Sequence, residues 1–518
     1  MRVDDFLRAS AERHQGKIAI VDGERRVSYL ELNEQASRFG HILRRSGLQR
    51  GDRVVIFAEN CVDAVVAIFG TMRAGGVFVP VNPTTKVDKL AFILGNCRAE
   101  AIVTQSRLLP IVAGAMALAP SVKTCIVTDG DAVADASGII AMPHALRREP
   151  AVAPADAGID TDLAMLIYTS GSTGFPKGVM MTHQNIDHAS SSITTYLRNT
   201  PDDIVLSVLP ISFDYGLYQV LMSVKIGMTL VLEKSFTYPQ LVLKKINEEK
   251  VTGLPLVPTM AAILLQMPSL TPGMFPTLRY ITNTAAALPP AHILRLQELF
   301  RDTMLFSMYG LTECKRCTYL EPDQLTTRIG SVGKAIPNSE AWVLDDAGQE
   351  CRAGDVGELV IRGGHVMKGY WENPEATDRC LKQGRYPWEK VLHTGDLFRT
   401  DDDGYLYFVG RKDDIIKTRG EKVAPKEVEN VLYMLEGIRE AAVIGVPDAI
   451  LGSAIRAVLV LAEGTEISER EVIRHCAKHL EDFMVPKSVE FRSELPKTAT
   501  GKIKRSEVQA EAQKAATN

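Results

Sequence analysis

The stretch 168–178, YTSGSTGFPKG, limits what this chain can be more than any other. Gly171, Gly174 and Gly178 alternate with the hydroxyl side chains of Thr169, Ser170, Ser172 and Thr173, and Lys177 stands near the end. The apolar residues 163–167 before it read as a buried strand feeding a turn. Glycines let backbone N–H groups close in on an anion. Hydroxyls donate to phosphate oxygens or hold a metal, and a lysine adds a point charge. The residues describe a phosphate cradle. It is not the pattern GxxxxGK[ST], because Lys177 is followed by Gly178 and the glycines are spaced differently. A flexible surface loop has the same composition and is the alternative. The apolar segments on both sides, 163–167 and 179–181, weigh against it.

Length and charge narrow the classes. At 518 residues the chain has room for several domains. A net charge of −4 gives no sign of a nucleic-acid partner. Residues 1–15 carry Asp4, Asp5 and Glu12 and no apolar core, so a secretory signal is not expected. The apolar stretch 108–122 is broken by Pro110 and Pro120 and is too short to span a bilayer. Eight scattered cysteines suit reduced thiols and a cytoplasmic location. Cys314 and Cys317 form a CxxC with no second pair, which favours a structural or incidental role over zinc or redox chemistry.

The pattern along the chain is α/β. Ser28 and Glu31 form a capping box before Leu32, Ala36, Phe39 and Leu43 at helical spacing, with Gly47 as a stop. Strands at 54–57 and 76–81 flank a helix at 63–72, which predicts a mostly parallel sheet. Residues 148–162 read as a linker or long loop. Strands are expected at 205–209, 229–232, 253–257 and 305–308, and helices at 240–250 and 291–300. After 330 the segments 342–344, 358–362 and 405–409 suggest a small β-rich unit, 331–410. A compact α+β unit follows from 411 to 518, with a helix at 426–435, strands at 441–446 and 457–461, and a helix capped by Ser468 and Glu471.

Further stretches carry chemistry. MYGLTE at 308–313 runs a strand into a glycine turn that presents Tyr309, Thr312 and Glu313. Tyr309 offers a face to a heterocycle and Glu313 a hard oxygen to Mg²⁺. HTGD at 393–396 places a short acid after a glycine, suited to ribose hydroxyls, and Arg411 supplies a fork donor. A surface turn and a turn-capping Asp are the ordinary alternatives. KTRGEK at 417–422 and LPKTATGK at 495–502 are basic and contain glycine; solvated faces commonly look the same.

Taken together, YTSGSTGFPKG, YGLTE, GELVIRGGHVMKGYW (357–371), HTGD, GRKDDIIKTRGEKVAPKEVE (410–429) and PKTATGKI resemble the acyl-adenylate-forming enzymes in content and order. That superfamily includes acyl-CoA synthetases, aryl-CoA ligases, peptide-synthetase adenylation domains and beetle luciferases. The resemblance implies a large N-terminal ATP- and acid-binding domain, 1–410, made of parallel sheets and the β-rich unit, and a small mobile C-terminal domain, 411–518. It implies ATP, Mg²⁺ and a thiol acceptor, CoA or a carrier-protein phosphopantetheine. Residues 169–177 (Thr169, Ser170, Gly171, Ser172, Thr173, Gly174, Lys177) would close over the β- and γ-phosphates, and Thr169 and Glu313 would help hold the metal. Ala285, Ala286, Tyr309, Gly310, Thr312 and Phe408 would surround the nucleotide. Asp396 would take the ribose hydroxyls and Arg411 the ribose or α-phosphate. Lys502 would serve adenylation, Lys417 the second step, and Asp413 the hinge between them.

The acid pocket implied by the resemblance is lined by Phe213, Asp214, Tyr215, Val257, Thr259, Thr284 and Met308. Amino-acid-activating relatives carry an aspartate at the position of Asp214, where it pairs with an ammonium. Asp214 is equally placed to cap a helix at 215–224. Ala285-Ala286 stands where relatives carry a Gly-Gly pair near adenine. No carrier domain follows Lys502, so the acceptor is expected to act in trans. The expected activity is an AMP-forming carboxylic acid–CoA ligase for an aliphatic or aryl acid. A stand-alone adenylating enzyme loading an amino acid or fatty acid onto a carrier protein is the alternative.

Overall fold

A computed structural model describes residues 1–130, 139–155, 158–169, 176–284, 288–418, 421–448, 452–498 and 501–517. Ser170, Gly171, Ser172, Thr173, Gly174, Ala285 and Ala286 lie outside the described residues, as do the side chains of Asp413 and Lys417.

Two sheets organise the first four hundred residues. The smaller has eight strands among the described residues. Its centre, Arg53–Phe57 and Val77–Pro80, is buried on both faces, as a parallel strand covered by helices must be. Helices Tyr29–Arg45 and Val62–Arg73 lie against each other beside it. Leu163–Thr169 joins this sheet next to Val77–Pro80 and turns back as the antiparallel strand Lys177–Thr182. The two-residue strand Gly369–Tyr370 then pairs with Lys177–Thr182 from far along the chain.

The larger sheet has fourteen strands among the described residues. Ile204–Ser207, Thr229–Leu232, Gly253–Leu256, Tyr280–Asn283 and Met304–Tyr309 run parallel. From Thr318–Leu320 onward the pairing becomes antiparallel, through Ser331–Ala335 to Leu406–Arg411, Lys390–Thr400, Gly357–Gly363 and Ser339–Leu344. The β-rich stretch after 330 therefore continues the large sheet instead of standing apart. At the opposite edge the early strand Ile18–Asp22 pairs with Thr229–Leu232.

One apolar cluster runs from Val3 to Leu406. Two others begin only at Ile416 and Ala442 and pack the three strands Ile438–Asp448, Gly452–Leu461 and Ser488–Phe491 against helices Pro425–Leu432, Glu469–His479 and Arg505–Thr517. The last hundred residues thus have their own core.

Local signals worked where they were strong. The capping boxes at Ser28 and Ser468 form with both reciprocal bonds. The reading of Asp214 as a helix cap is corrected: the helix is Asp214–Ile226, its N-cap is Phe213, and Asp214 is its first residue, where a negative charge suits the helix dipole. The apolar stretch at 108–122 contains the helix Leu109–Leu118, and helices Asp4–Arg13 and Val87–Asn96 had no sequence expectation. No helix among the described residues is long and apolar enough to cross a membrane.

Candidate active site

The site is assembled where the two sheets and the C-terminal unit meet. The long strand Lys390–Thr400 carries HTGD, and Gly395 bends it with a φ of +70°. Opposite Asp396 in the ladder stands Arg411. The phenol of Tyr309 donates to Asp396 Oδ2 at 2.6 Å, and Arg411 Nε lies 3.0 Å from Oδ1. That approach leaves buried Oδ1 without an aligned donor, so it retains capacity to accept from a sugar hydroxyl. Burial pushes the Asp396 carboxyl up, and the Arg411 charge and the Tyr309 hydrogen bond oppose this. The Tyr309 ring meets Phe398 edge-on at 4.9 Å and Phe408 at 6.4 Å, so an aromatic wall stands beside the carboxylate. Sequence reasoning missed Glu358. It accepts the Gly395 N–H at 3.0 Å and faces His393, whose contact holds the Glu358 carboxyl down to about 2.

Thr169 ends one strand and Lys177 begins the next, and the two are ladder partners at the neck of the glycine-rich turn. Lys177 Nζ sits 5.5 Å from the Tyr370 ring centroid, and Tyr370 Oη donates to Glu313 Oε1 at 2.7 Å. Tyr370 therefore links the turn's lysine to the YGLTE carboxylate, a role its sequence motif did not reveal. A carboxylate and a threonine hydroxyl are hard oxygen donors, a set that fits Mg²⁺. Gly310 is required by the tight bend after Tyr309: a Cβ there would lie 1.7 Å from the Lys315 carbonyl oxygen.

The C-terminal unit closes the third side. Around 496–504 the chain folds back on itself, with Thr498 N–H bonded to Lys502 O at 2.8 Å and Lys504 N–H to Pro496 O at 2.8 Å. At its tip Gly501 has a φ of +79°, and a Cβ on it would meet Thr259 Oγ1 at 2.5 Å. The loop thus touches a residue of the expected acid pocket. Lys502 keeps a solvent-exposed side chain, yet protein crowds it on several sides, as at the mouth of a cleft. That crowding, then Arg411, presses its ammonium down, while Asp396 pulls the other way. Asp413 lies in the short turn Lys412–Asp414, and Lys417 lies in the ribbon strand Ile416–Thr418 opposite Lys422. Arg505 ties this region down through Asp414 at 2.7 Å and Glu429 at 2.6 Å.

Of the residues expected to line the acid pocket, Phe213, Asp214 and Tyr215 stand at the start of helix Asp214–Ile226. Phe213 and Tyr215 rings meet edge-on at 6.4 Å, and Tyr215 Oη donates to Thr282 O at 2.8 Å. Met308 Sδ accepts from Tyr196 Oη at 2.9 Å. Thr284 is buried just past the strand Tyr280–Asn283, Val257 is the N-cap of helix Pro258–Leu265, and Thr312 is half-buried in the turn. Two neighbours of YGLTE, Lys315 and Arg316, are also buried here, at 1% and 2% exposure. Beside them the Cys314 and Cys317 thiols face each other in the interior, and no cluster of metal-capable side chains exists among the described residues.

The profile of the AMP-binding enzymes matches residues 7–371, and that of the AMP-binding enzyme C-terminal domain matches 427–502. A long-chain-fatty-acid–CoA ligase of Bacillus subtilis is 31% identical over 97% of this chain and 93% of its own length. Among solved structures, ATP-bound MatB from Rhodopseudomonas palustris aligns with a TM-score of 0.89 and 29% identity, covering 99% of this chain and 100% of that one. The anthranilate CoA ligase AuaEII in complex with anthranoyl-AMP aligns with a TM-score of 0.92 and 26% identity, covering 100% and 98%.

Proposed function

The chain belongs to the AMP-binding enzymes, within the acyl-adenylate-forming superfamily, and is an AMP-forming acid–CoA ligase; we propose that its acid is an aliphatic or aryl carboxylate activated in the cleft between Glu313, Asp396 and Lys502. ATP, Mg²⁺ and CoA are the requirements of such ligases. The Bacillus subtilis relative is a long-chain-fatty-acid–CoA ligase and AuaEII an anthranilate CoA ligase, which favours CoA over a carrier protein as acceptor.

In the first half-reaction an oxygen of the acid attacks the α-phosphorus of ATP, and the bond to pyrophosphate breaks. Both reactants are anions, so positioning and charge neutralisation supply most of the rate. Asp396 holds the ribose, Tyr309 and Phe408 flank the base, and Thr169 and Lys177 flank the phosphates. Mg²⁺, held by Glu313 and Thr169, would offset charge on the polyphosphate. Lys502 meets the charge that crowds between carboxylate and α-phosphate in the transition state. In the second half-reaction the CoA sulfur attacks the acyl carbon and AMP leaves. The C-terminal domain, 411–518, swings about Asp413 between the two, bringing Lys417 into play.

One observation carries this reading. Lys502 belongs to the C-terminal unit, yet it shares an electrostatic neighbourhood with Asp396 and Arg411 of the large sheet while Gly501 rests on Thr259. Acid-dependent pyrophosphate exchange over a panel of carboxylic acids, followed by thioester assay with CoA, tests it. Lys502→Ala is expected to lower exchange by on the order of 10²-fold with ATP still bound. Near-normal exchange in that variant would refute the assignment.

A further inference from the structure

The buried pair Lys315 and Arg316 lies outside every role derived so far. Lys315 has a positive φ, 66°, uncommon for a long side chain. It spends that conformation on turning its ammonium inward, where Nζ has no hydrogen-bond partner among the described residues. Nζ stands 5.9 Å from the centroid of the Tyr218 ring, and the Tyr218 hydroxyl, fully buried, also lacks a partner. Arg316 lies over Tyr215 with its guanidinium carbon 4.4 Å from the centroid, and its Nε is unpartnered too. Tyr215 and Tyr218 occupy the first turns of the helix that begins at Asp214. Asp214 is 6% exposed and close enough for its charge to act on both Lys315 and Tyr218, but no ion pair within 4 Å forms between described partners.

An unpaired buried cation is costly and calls for a partner. Asp214 and Glu313 both act on Lys315 through their charge, yet neither forms an ion pair with it, so its ammonium has no anion in contact among the described residues. The unmatched donors of Lys315 and Arg316 stand beside Tyr215 and Tyr218, on the helix whose first residues are expected to line the acid pocket. We infer that Lys315, with Arg316 and Tyr218, receives a second oxygen acceptor at the far end of the substrate, so that the enzyme prefers an acid with a distal carboxylate over its unsubstituted counterpart. The inference rests on the ligase reading above and specifies its acid. It also reverses the sign of the charge recognised: the pocket selects for a distal anion, not for the ammonium that Asp214 alone would suit.

The test uses the whole protein in pyrophosphate exchange with matched pairs: hexanoate and adipate, octanoate and suberate, benzoate and terephthalate. A hydrogen bond to a charged group is worth about 1.5–3 kcal/mol, so the better-fitting diacid should exceed its partner about 10- to 100-fold in kcat/KM. Lys315→Met should collapse that ratio by a similar factor, and Lys315→Arg should keep part of it. The wild-type panel decides the matter even if Lys315→Met folds poorly. A wild type that favours the unsubstituted acid in every pair overturns the inference, as does a Lys315→Met ratio equal to wild type. Exchange with unsubstituted acids alone would leave the ligase reading intact and remove only this inference. No exchange with any acid would overturn both.

Discussion

At Gly501 the consequence of a missing side chain is measurable. Its φ of +79° and the 2.5 Å separation from Thr259 that any Cβ would suffer make valine intolerable in the docked arrangement. Strain of this kind costs about 1–3 kcal/mol, so Gly501→Val should slow adenylate formation about 10- to 100-fold. Thioester formation from pre-formed acyl-adenylate should fall less, because in the proposed scheme the second half-reaction uses the other arrangement of the C-terminal domain. Stopped-flow assays of the separate half-reactions decide; equal losses would contradict the docking argument. Tyr309→Phe removes the phenol that donates to Asp396 at 2.6 Å. The lost charged hydrogen bond, about 1.5–3 kcal/mol, should raise the KM for ATP about 10-fold or more, read by steady-state kinetics. Residue by residue, glycine, acid and base recur in a fixed order in the motifs, which singled out Tyr309, Glu313, Asp396 and Lys502 as candidates. Lys315 and Arg316 stayed hidden. Adjacent basic residues usually sit on solvated faces, and only the turn packed beneath helix Asp214–Ile226 buries them. Tyr370 and Glu358 were invisible for another reason: their partners are 57 and 37 residues away.

Among the elements, the short turn Lys412–Asp414 and the ribbon Ile416–Thr418/Glu421–Val423 join two separately packed bodies. Proline at 413 fixes φ and restricts the residue before it. Asp413→Pro should spare adenylate formation and impair thioester formation, as seen by exchange and product assays in parallel. Equal loss of both would sink the hinge assignment. Elements with clear periodicity were readable from sequence to within a residue or two, such as Thr229–Leu232 and Val62–Arg73. Which strands become neighbours was not readable. That depends on crossovers such as Ile18–Asp22 reaching Thr229–Leu232, where apolar content alone names no partner.

For the molecule as a whole, acid should act through buried neutral histidines. His183 is 3% exposed and its Nδ1 accepts the Val3 N–H at 3.0 Å, so that nitrogen carries no proton. Burial, helped by Arg2, lowers its pKa to about 4 from 6.5. The unfolded chain therefore binds a proton between these values that the folded one refuses. Stability is full above pH 6.5 and is lost as pH falls toward 4, by about 2 kcal/mol at pH 5. His183→Gln should flatten the Tm-against-pH curve between pH 5 and 7; an unchanged slope would contradict the linkage. His365, fully buried with both ring nitrogens unpartnered among the described residues, adds to the same trend from a pKa of about 3.

The pairing of Gly369–Tyr370 with Lys177–Thr182 has an effect on biogenesis. During synthesis the hairpin of Leu163–Thr169 and Lys177–Thr182 emerges early but waits, with one edge bare, until nearly two hundred further residues have been translated. A nascent chain paused in that interval exposes a sticky ribbon, so ribosome stalling there, rather than at the finished protein, is where holding chaperones would be needed most.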